Sequence, residues 1–128
     1  MASKTPFGRR KLLIIDDDKG FLDMLQTYFA SHEYEAAIAE NAPQAIRAMR
    51  EGKFKVVILD YQMPHVNGDD LIAMLQQINP TSRFIVVTGH LAEDVEDKFK
   101  GLGYFAYFEK AQLPFKALEE TVLKAFNA

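Results

Sequence analysis

The chain has 128 residues, 15 Lys plus Arg against 18 Asp plus Glu, a formal net charge of -3 and no cysteine. That length makes one domain, and 48% hydrophobic residues can fill one core unaided; without cysteine there is no disulfide framework, zinc finger or thiol nucleophile. Apolar runs such as Leu12 to Ile15 and Val56 to Leu59 stop at four residues, far short of the roughly 20 that cross a bilayer, and no apolar signal segment follows Met1, so a soluble, cytoplasmic protein with no membrane partner is expected.

Residues 1–11 hold Lys4, Arg9, Arg10 and Lys11 and no acid, which leaves 11 basic residues against 18 acidic ones, a net of -7, for residues 12–128. Residues 1–10 read as a solvated, flexible basic arm, and 11–128 as a single domain without an internal linker. A body this acidic is not expected to bind DNA directly.

From residue 11 onward, short apolar runs alternate with segments of helical spacing. Leu12 to Ile15 lacks polar alternation, the mark of a strand covered on both faces. A helix follows over about Lys19 to Ala30, capped by Asp18, with Phe21, Leu22, Leu25, Tyr28 and Phe29 on its apolar face. A weaker strand around Glu35 to Ala39 leads to a second helix, which opens at Asn41, carries Pro43 and Gln44 in its first turn, and stops at Gly52. Val56 to Leu59 is the third strand. The third helix starts near Asp69, buries Leu71, Ile72, Leu75 and Ile78, and ends at Asn79 and Pro80. The fourth strand, Phe84 to Val87, precedes a helix from about Ala92 to Lys100, whose Glu93, Asp94, Glu96 and Asp97 favour the positive end of its dipole. The fifth strand, Tyr104 to Phe108, precedes a helix beginning around Pro114 that buries Leu118, Val122 and Phe126. Five strands alternating with five helices predict an α/β fold, a doubly wound five-stranded parallel sheet.

In such sheets the functional loops lie beyond the carboxyl ends of the strands. The first strand ends in Asp16, Asp17 and Asp18, the third in Asp60, the fourth in Thr88 and Gly89, and the fifth runs into Glu109 and Lys110. Each taken alone has an ordinary reading: a helix cap with solvated charge, a strand-end hydroxyl, an exposed lysine. Their convergence on one rim changes that reading. Clustered carboxylates repel unless a cation joins them, and a hard divalent ion such as Mg²⁺ takes a couple of carboxylates and keeps several waters. If Asp60 attacked a phosphoryl donor, the ion, Lys110 and Thr88 could each take one phosphoryl oxygen, with space left by the small Gly89.

These residues stand in motifs that resemble the receiver domains of two-component response regulators, over residues 11–127. The motifs are Leu-Ile-Ile-Asp-Asp-Asp (13–18), Val-Ile-Leu-Asp-Tyr-Gln-Met-Pro-His-Val-Asn-Gly (57–68), Ile-Val-Val-Thr-Gly (85–89) and Tyr-Phe-Glu-Lys (107–110), the second being the most specific. The resemblance implies a flavodoxin-like strand order of 2-1-3-4-5. It implies that Asp60 is the phosphoacceptor, and that Mg²⁺ (or Mn²⁺) is held by Asp60, by Asp17 directly, by Asp16 largely through water, and by the backbone carbonyl of Gln62. Thr88 and Lys110 match the switch hydroxyl and the phosphate-binding lysine, and Tyr107 the aromatic switch. Gln62 and His90 fall where the family adjusts dephosphorylation. The implied partners are a sensor histidine kinase or histidine phosphotransfer protein and a downstream protein target, reached through the surface of the fourth helix, fifth strand and fifth helix. The domain would catalyse its own phosphorylation and dephosphorylation without being a multiple-turnover enzyme, and dimerisation on phosphorylation stays open.

Two alternatives accompany this reading: a phosphoaspartate phosphatase of the haloacid dehalogenase type, whose nucleophile would stand on the first strand, and a degenerate receiver that binds partners without phosphate. One departure stands out. The family usually joins a Pro to the lysine through a cis bond, whereas Ala111 follows Lys110 and the next Pro is Pro114. A cis bond before a non-Pro residue costs about 3–4 kcal/mol, so either a strained cis bond or a trans bond with a rebuilt loop is expected. No glycine-rich nucleotide motif is present, and His32, His65 and His90 lack metal-ligand spacing and read as surface or loop residues. At 128 residues the chain leaves no room for an output domain, unless it is a piece of a longer protein.

Overall fold

A computed structural model describes residues 10–89 and 103–128. The apolar runs become parallel strands β1 (Arg10–Ile15), β2 (Tyr34–Ala39), β3 (Val56–Leu59), β6 (Arg83–Thr88) and β7 (Ala106–Glu109) in one sheet of order β2-β1-β3-β6-β7. This is the expected 2-1-3-4-5 order. The three central strands are buried almost along their whole length, which is why they read as unbroken apolar runs. The flanking strands β2 and β7 are half-exposed, and β2 was correspondingly the weakest in the sequence.

Between these strands lie helices α1 (Lys19–Ser31), α2 (Ala42–Glu51), α3 (Gly68–Ile78) and α4 (Phe115–Phe126), the last being the helix expected around Pro114. The helix expected over Ala92 to Lys100 lies outside the described residues. Strand alternation sorts the core into two layers. Leu13, Ile15, Val57, Leu59 and Val86 face α2 and α3, while Leu12, Ile14, Val56, Ile58, Ile85 and Val87 face α1 and α4. Each fully buried Leu or Ile removes enough apolar surface from water to be worth about 2–3 kcal/mol.

The helix starts follow their caps. Asp18 Oδ1 accepts from Phe21 N at 3.2 Å and Asn41 Oδ1 from Gln44 N at 2.9 Å. Gln44 reaches back past the cap residue, its Oε1 accepting from Glu40 N at 2.7 Å. Helix α3 begins one residue before the expected Asp69, because Asn67 Oδ1 caps Asp69 N at 2.9 Å and Asp70 N at 3.3 Å. At its first position a Cβ on Gly68 would overlap the Tyr61 ring, so the close approach demands glycine there. The far end of α4 is capped by Lys55 Nζ, which donates to Phe126 O at 2.6 Å.

The link from β3 to α3 holds a small antiparallel ribbon, β4 (Gln62–Met63) against β5 (Val66–Asn67), turned by His65 at φ 62°. Two-residue strands leave no periodicity to read.

Candidate functional site

Hydrogen bonds at the ends of the ladder set the rim. Asp16 N donates to Ala39 O at 3.1 Å, Asp60 N to Ile15 O at 2.9 Å, and Lys110 N to Thr88 O at 2.8 Å. Each bond carries a strand one residue past its neighbour's end, so side chains distant in sequence leave the sheet at one level. Asp16, Asp60 and Thr88 are buried, with relative exposures of 1%, 5% and 0%, whereas Asp17 is exposed. Asp16, Asp17 and Asp60 each bring a carboxylate oxygen within 4.8 Å of the others'.

Lys110 closes the cluster. Its Nζ lies 2.9 Å from Asp16 Oδ2, donates to Asp16 Oδ1 at 3.1 Å, and stands 3.4 Å from Asp60 Oδ2. The ammonium also sits over the ring of Phe21, 4.6 Å from the centroid. Backbone amides also hold these carboxylates: Asp18 N donates to Asp16 Oδ1 at 2.9 Å, and Gln62 N to Asp60 Oδ1 at 3.0 Å. The described residues have no cis peptide. The Lys110–Ala111 bond is therefore trans, the loop turns instead at Gln112 with φ 59°, and the lysine still reaches Asp60.

Burial governs the protonation of this cluster. It raises the pKa of Asp60 to about 6, aided by the negative charge of Asp16 and opposed by the Gln62 amide and by Lys110. Asp16 is raised for the same first reason, against the Asp18 amide and Lys110. Burial would depress Lys110, but its hydrogen bond and attraction to Asp16, joined by Asp60, outweigh this and hold it above the ordinary lysine value.

Among the described residues, three carboxylates against one ammonium leave a surplus of negative charge. Asp16 Oδ2 is also a buried oxygen with no directed hydrogen bond, despite its closeness to Lys110. An all-oxygen donor set with surplus negative charge and an oxygen lacking a directed donor suits a hard divalent cation such as Mg²⁺ or Mn²⁺.

The other expected residues are placed as follows. Thr88 ends β6 beside the cluster. Tyr107 is half-buried on β7, meets Tyr104 edge-on at 6.2 Å between centroids, and packs on the α3 side of the sheet. The Gln62 side chain is exposed and extends toward Gly89, where an added Cβ would stand 3.7 Å from Gln62 Oε1. That is ordinary van der Waals contact. His90 lies outside the described residues. His32 and His65 are exposed, and His32 stacks on Tyr28 at 4.3 Å. The residue missed in the sequence is Phe21: helical spacing put it on the apolar face of α1, and no periodic signal shows that its ring also borders the rim.

A family model described as the response regulator receiver domain matches residues 12–122. A response regulator receiver protein of Anaeromyxobacter sp. is 32% identical over 101 residues, which cover 79% of this chain and 42% of that protein. This chain thus spans less than half the length of that relative. Sporulation initiation phosphotransferase F of Bacillus subtilis is 28% identical over 100 residues, 78% of this chain and 81% of that one. The crystal structure of a response regulator receiver domain protein from Clostridium thermocellum matches with a TM-score of 0.83 at 27% identity, covering 91% of this chain and 94% of that chain.

Proposed function

Because the chain belongs to the response regulator receiver domain family, we propose that it is a cytoplasmic switch whose Asp60 takes a phosphoryl group from the phosphohistidine of a sensor kinase or phosphotransfer protein. One observation supports this most directly. Asp60 is a buried carboxylate with one oxygen held by the Gln62 amide at 3.0 Å and the other facing Lys110 Nζ at 3.4 Å, inside an acidic cluster. The phosphatase alternative is set aside by family membership.

In the proposed reaction an Asp60 oxygen attacks phosphorus, a P–O bond forms, and the P–N bond to the donor imidazole breaks with its electron pair returning to nitrogen. With a pKa of about 6, Asp60 is ionised and nucleophilic at neutral pH. Lys110, kept protonated by its carboxylate neighbours, donates to a phosphoryl oxygen and offsets developing charge. The Gln62 amide fixes the direction in which the carboxylate presents itself. Asp16, Asp17, Asp60 and the Gln62 carbonyl would hold Mg²⁺ or Mn²⁺, which when bound neutralises the acidic cluster and the phosphoryl oxygens. Thr88 then shifts its hydroxyl toward the phosphoryl group and Tyr107 follows, altering the surface of β7 and α4, where a downstream protein binds. Water later cleaves the aspartyl phosphate, releasing inorganic phosphate and restoring the carboxylate, at a rate adjusted by Gln62 and His90.

Intact-mass analysis after treatment with phosphoramidate tests this, with and without Mg²⁺. Wild type is expected to gain one phosphoryl group only with Mg²⁺, and Asp60→Asn none. A wild type that takes up no phosphoryl group while still binding its partner would establish the degenerate receiver instead.

A further inference from the structure

The backbone anchors Lys110 through Lys110 N to Thr88 O at 2.8 Å, after which the chain turns away through Ala111 and Gln112. The aim of the long side chain is therefore set by what its ammonium touches. Two of those neighbours, Asp16 and Asp60, are carboxylates of the cluster that suits a divalent cation, and a lysine held by them alone would compete for the same oxygens. A third neighbour among the described residues is uncharged: the Phe21 ring, 4.6 Å from Nζ. We propose that Phe21 is the positioning residue for Lys110, its π face holding the ammonium over Asp60 while the carboxylates bind a cation or receive phosphate. This rests on Asp60 being the phosphoacceptor.

The distance lies within the roughly 6 Å over which a ring quadrupole attracts an ammonium. The ring makes a rigid support. It is 8% exposed, packs in the core layer beneath α1, and belongs to the first helical turn, where Phe21 N is held by Asp18 Oδ1 at 3.2 Å. The same turn follows directly from the acidic run, so one stretch of backbone places both Asp16 and the ring around the ammonium. A divalent ion, tightly hydrated and seeking oxygen, has no reason to displace an ammonium from an aromatic face. The ring also keeps water from one side of Nζ, which strengthens its remaining polar contacts.

Phe21 is a core residue too, so the test must separate the π face from mere bulk. Phe21 is replaced by a series of ring-fluorinated phenylalanines, close in shape but with progressively weaker π faces, alongside Phe21→Tyr and Phe21→Leu. Two quantities are measured: the order parameter of the Lys110 ammonium from ¹⁵N relaxation, in EDTA and in Mg²⁺, and the rate of phosphorylation by phosphoramidate in saturating Mg²⁺. The order parameter is expected to fall stepwise with fluorination while backbone amides stay unchanged, and the rate to fall in parallel, reaching about three- to tenfold in Phe21→Leu, with Phe21→Tyr close to wild type. An order parameter flat across the fluorinated series overturns the proposal, whatever the rates. If wild type accepts no phosphoryl group, the phosphoacceptor reading fails, and the ammonium measurement still decides whether Phe21 holds Lys110.

Discussion

Replacing Asp60 by Asn is expected to stabilise the fold at neutral pH when divalent ions are removed. The folded protein raises Asp60 from 3.8 to about 6, so between those values it holds a proton that the unfolded chain has lost. Stability therefore falls as pH rises through that window, and the full deficit persists above it. About two pKa units at 1.36 kcal/mol each make this roughly 3 kcal/mol. At 5% exposure Asp60 has little solvent to screen it. The amide of Asn carries no charge to desolvate and can still accept from Gln62 N, but its NH₂ faces Lys110 poorly, so a gain of about 1–3 kcal/mol is expected, near 4 °C per kcal/mol in a chain of this length. Urea denaturation in EDTA at pH 7.5 and pH 4.5 measures it, and the gain should be about 2 kcal/mol smaller at the lower pH. If the folded carboxylates hold Mg²⁺ as proposed, adding it should stabilise wild type and close the gap, since the variant has lost one of them. A variant no more stable than wild type in EDTA at pH 7.5, or a gain that does not change with pH, would refute the claim that desolvation of Asp60 dominates the cluster.

Lys110→Met removes the attraction that lowers the Asp60 pKa, so the Asp60 carboxyl ¹³C resonance should titrate above its wild-type midpoint; an unchanged midpoint would mean that the 3.4 Å contact carries no weight. Asn67→Ala deletes the acceptor for Asp69 N and Asp70 N, and should cost about 1 kcal/mol in urea denaturation. Gly68→Ala drives a methyl into the Tyr61 ring; about 1–3 kcal/mol should be lost, and Gly68→Ala combined with Tyr61→Ala should recover part of it, because the second change removes the obstacle.

The strands and caps were legible because their signals are local. Leu12 to Ile15 and Val56 to Leu59 lack polar alternation because both faces are covered, and Asp18 and Asn41 cap helices with side chains that need only the next three residues. The site was legible for a related reason: a parallel sheet delivers every strand's carboxyl end to one rim, so Asp16, Asp60, Thr88 and Lys110 could be collected by reading strand ends. Details without a periodic signal were harder to find. The ribbon of Gln62–Met63 and Val66–Asn67 is too short for periodicity, and α3 opens at Gly68, one residue ahead of its first periodic position, where the Asn67 side chain caps it.

What the sequence by itself determined is the composition of this rim, because residue type at the carboxyl ends of parallel strands places three carboxylates, a hydroxyl and an ammonium there. What only the tertiary structure decided is how they share their charge. That Lys110 reaches Asp60 across a trans bond to Ala111, that Asp16 and Asp60 are buried while Asp17 is not, and that Phe21 lies beneath the ammonium are results of three-dimensional packing. Desolvation and Coulomb attraction depend on distances and on which side chains exclude water, and neither quantity is written in the order of residues along a chain.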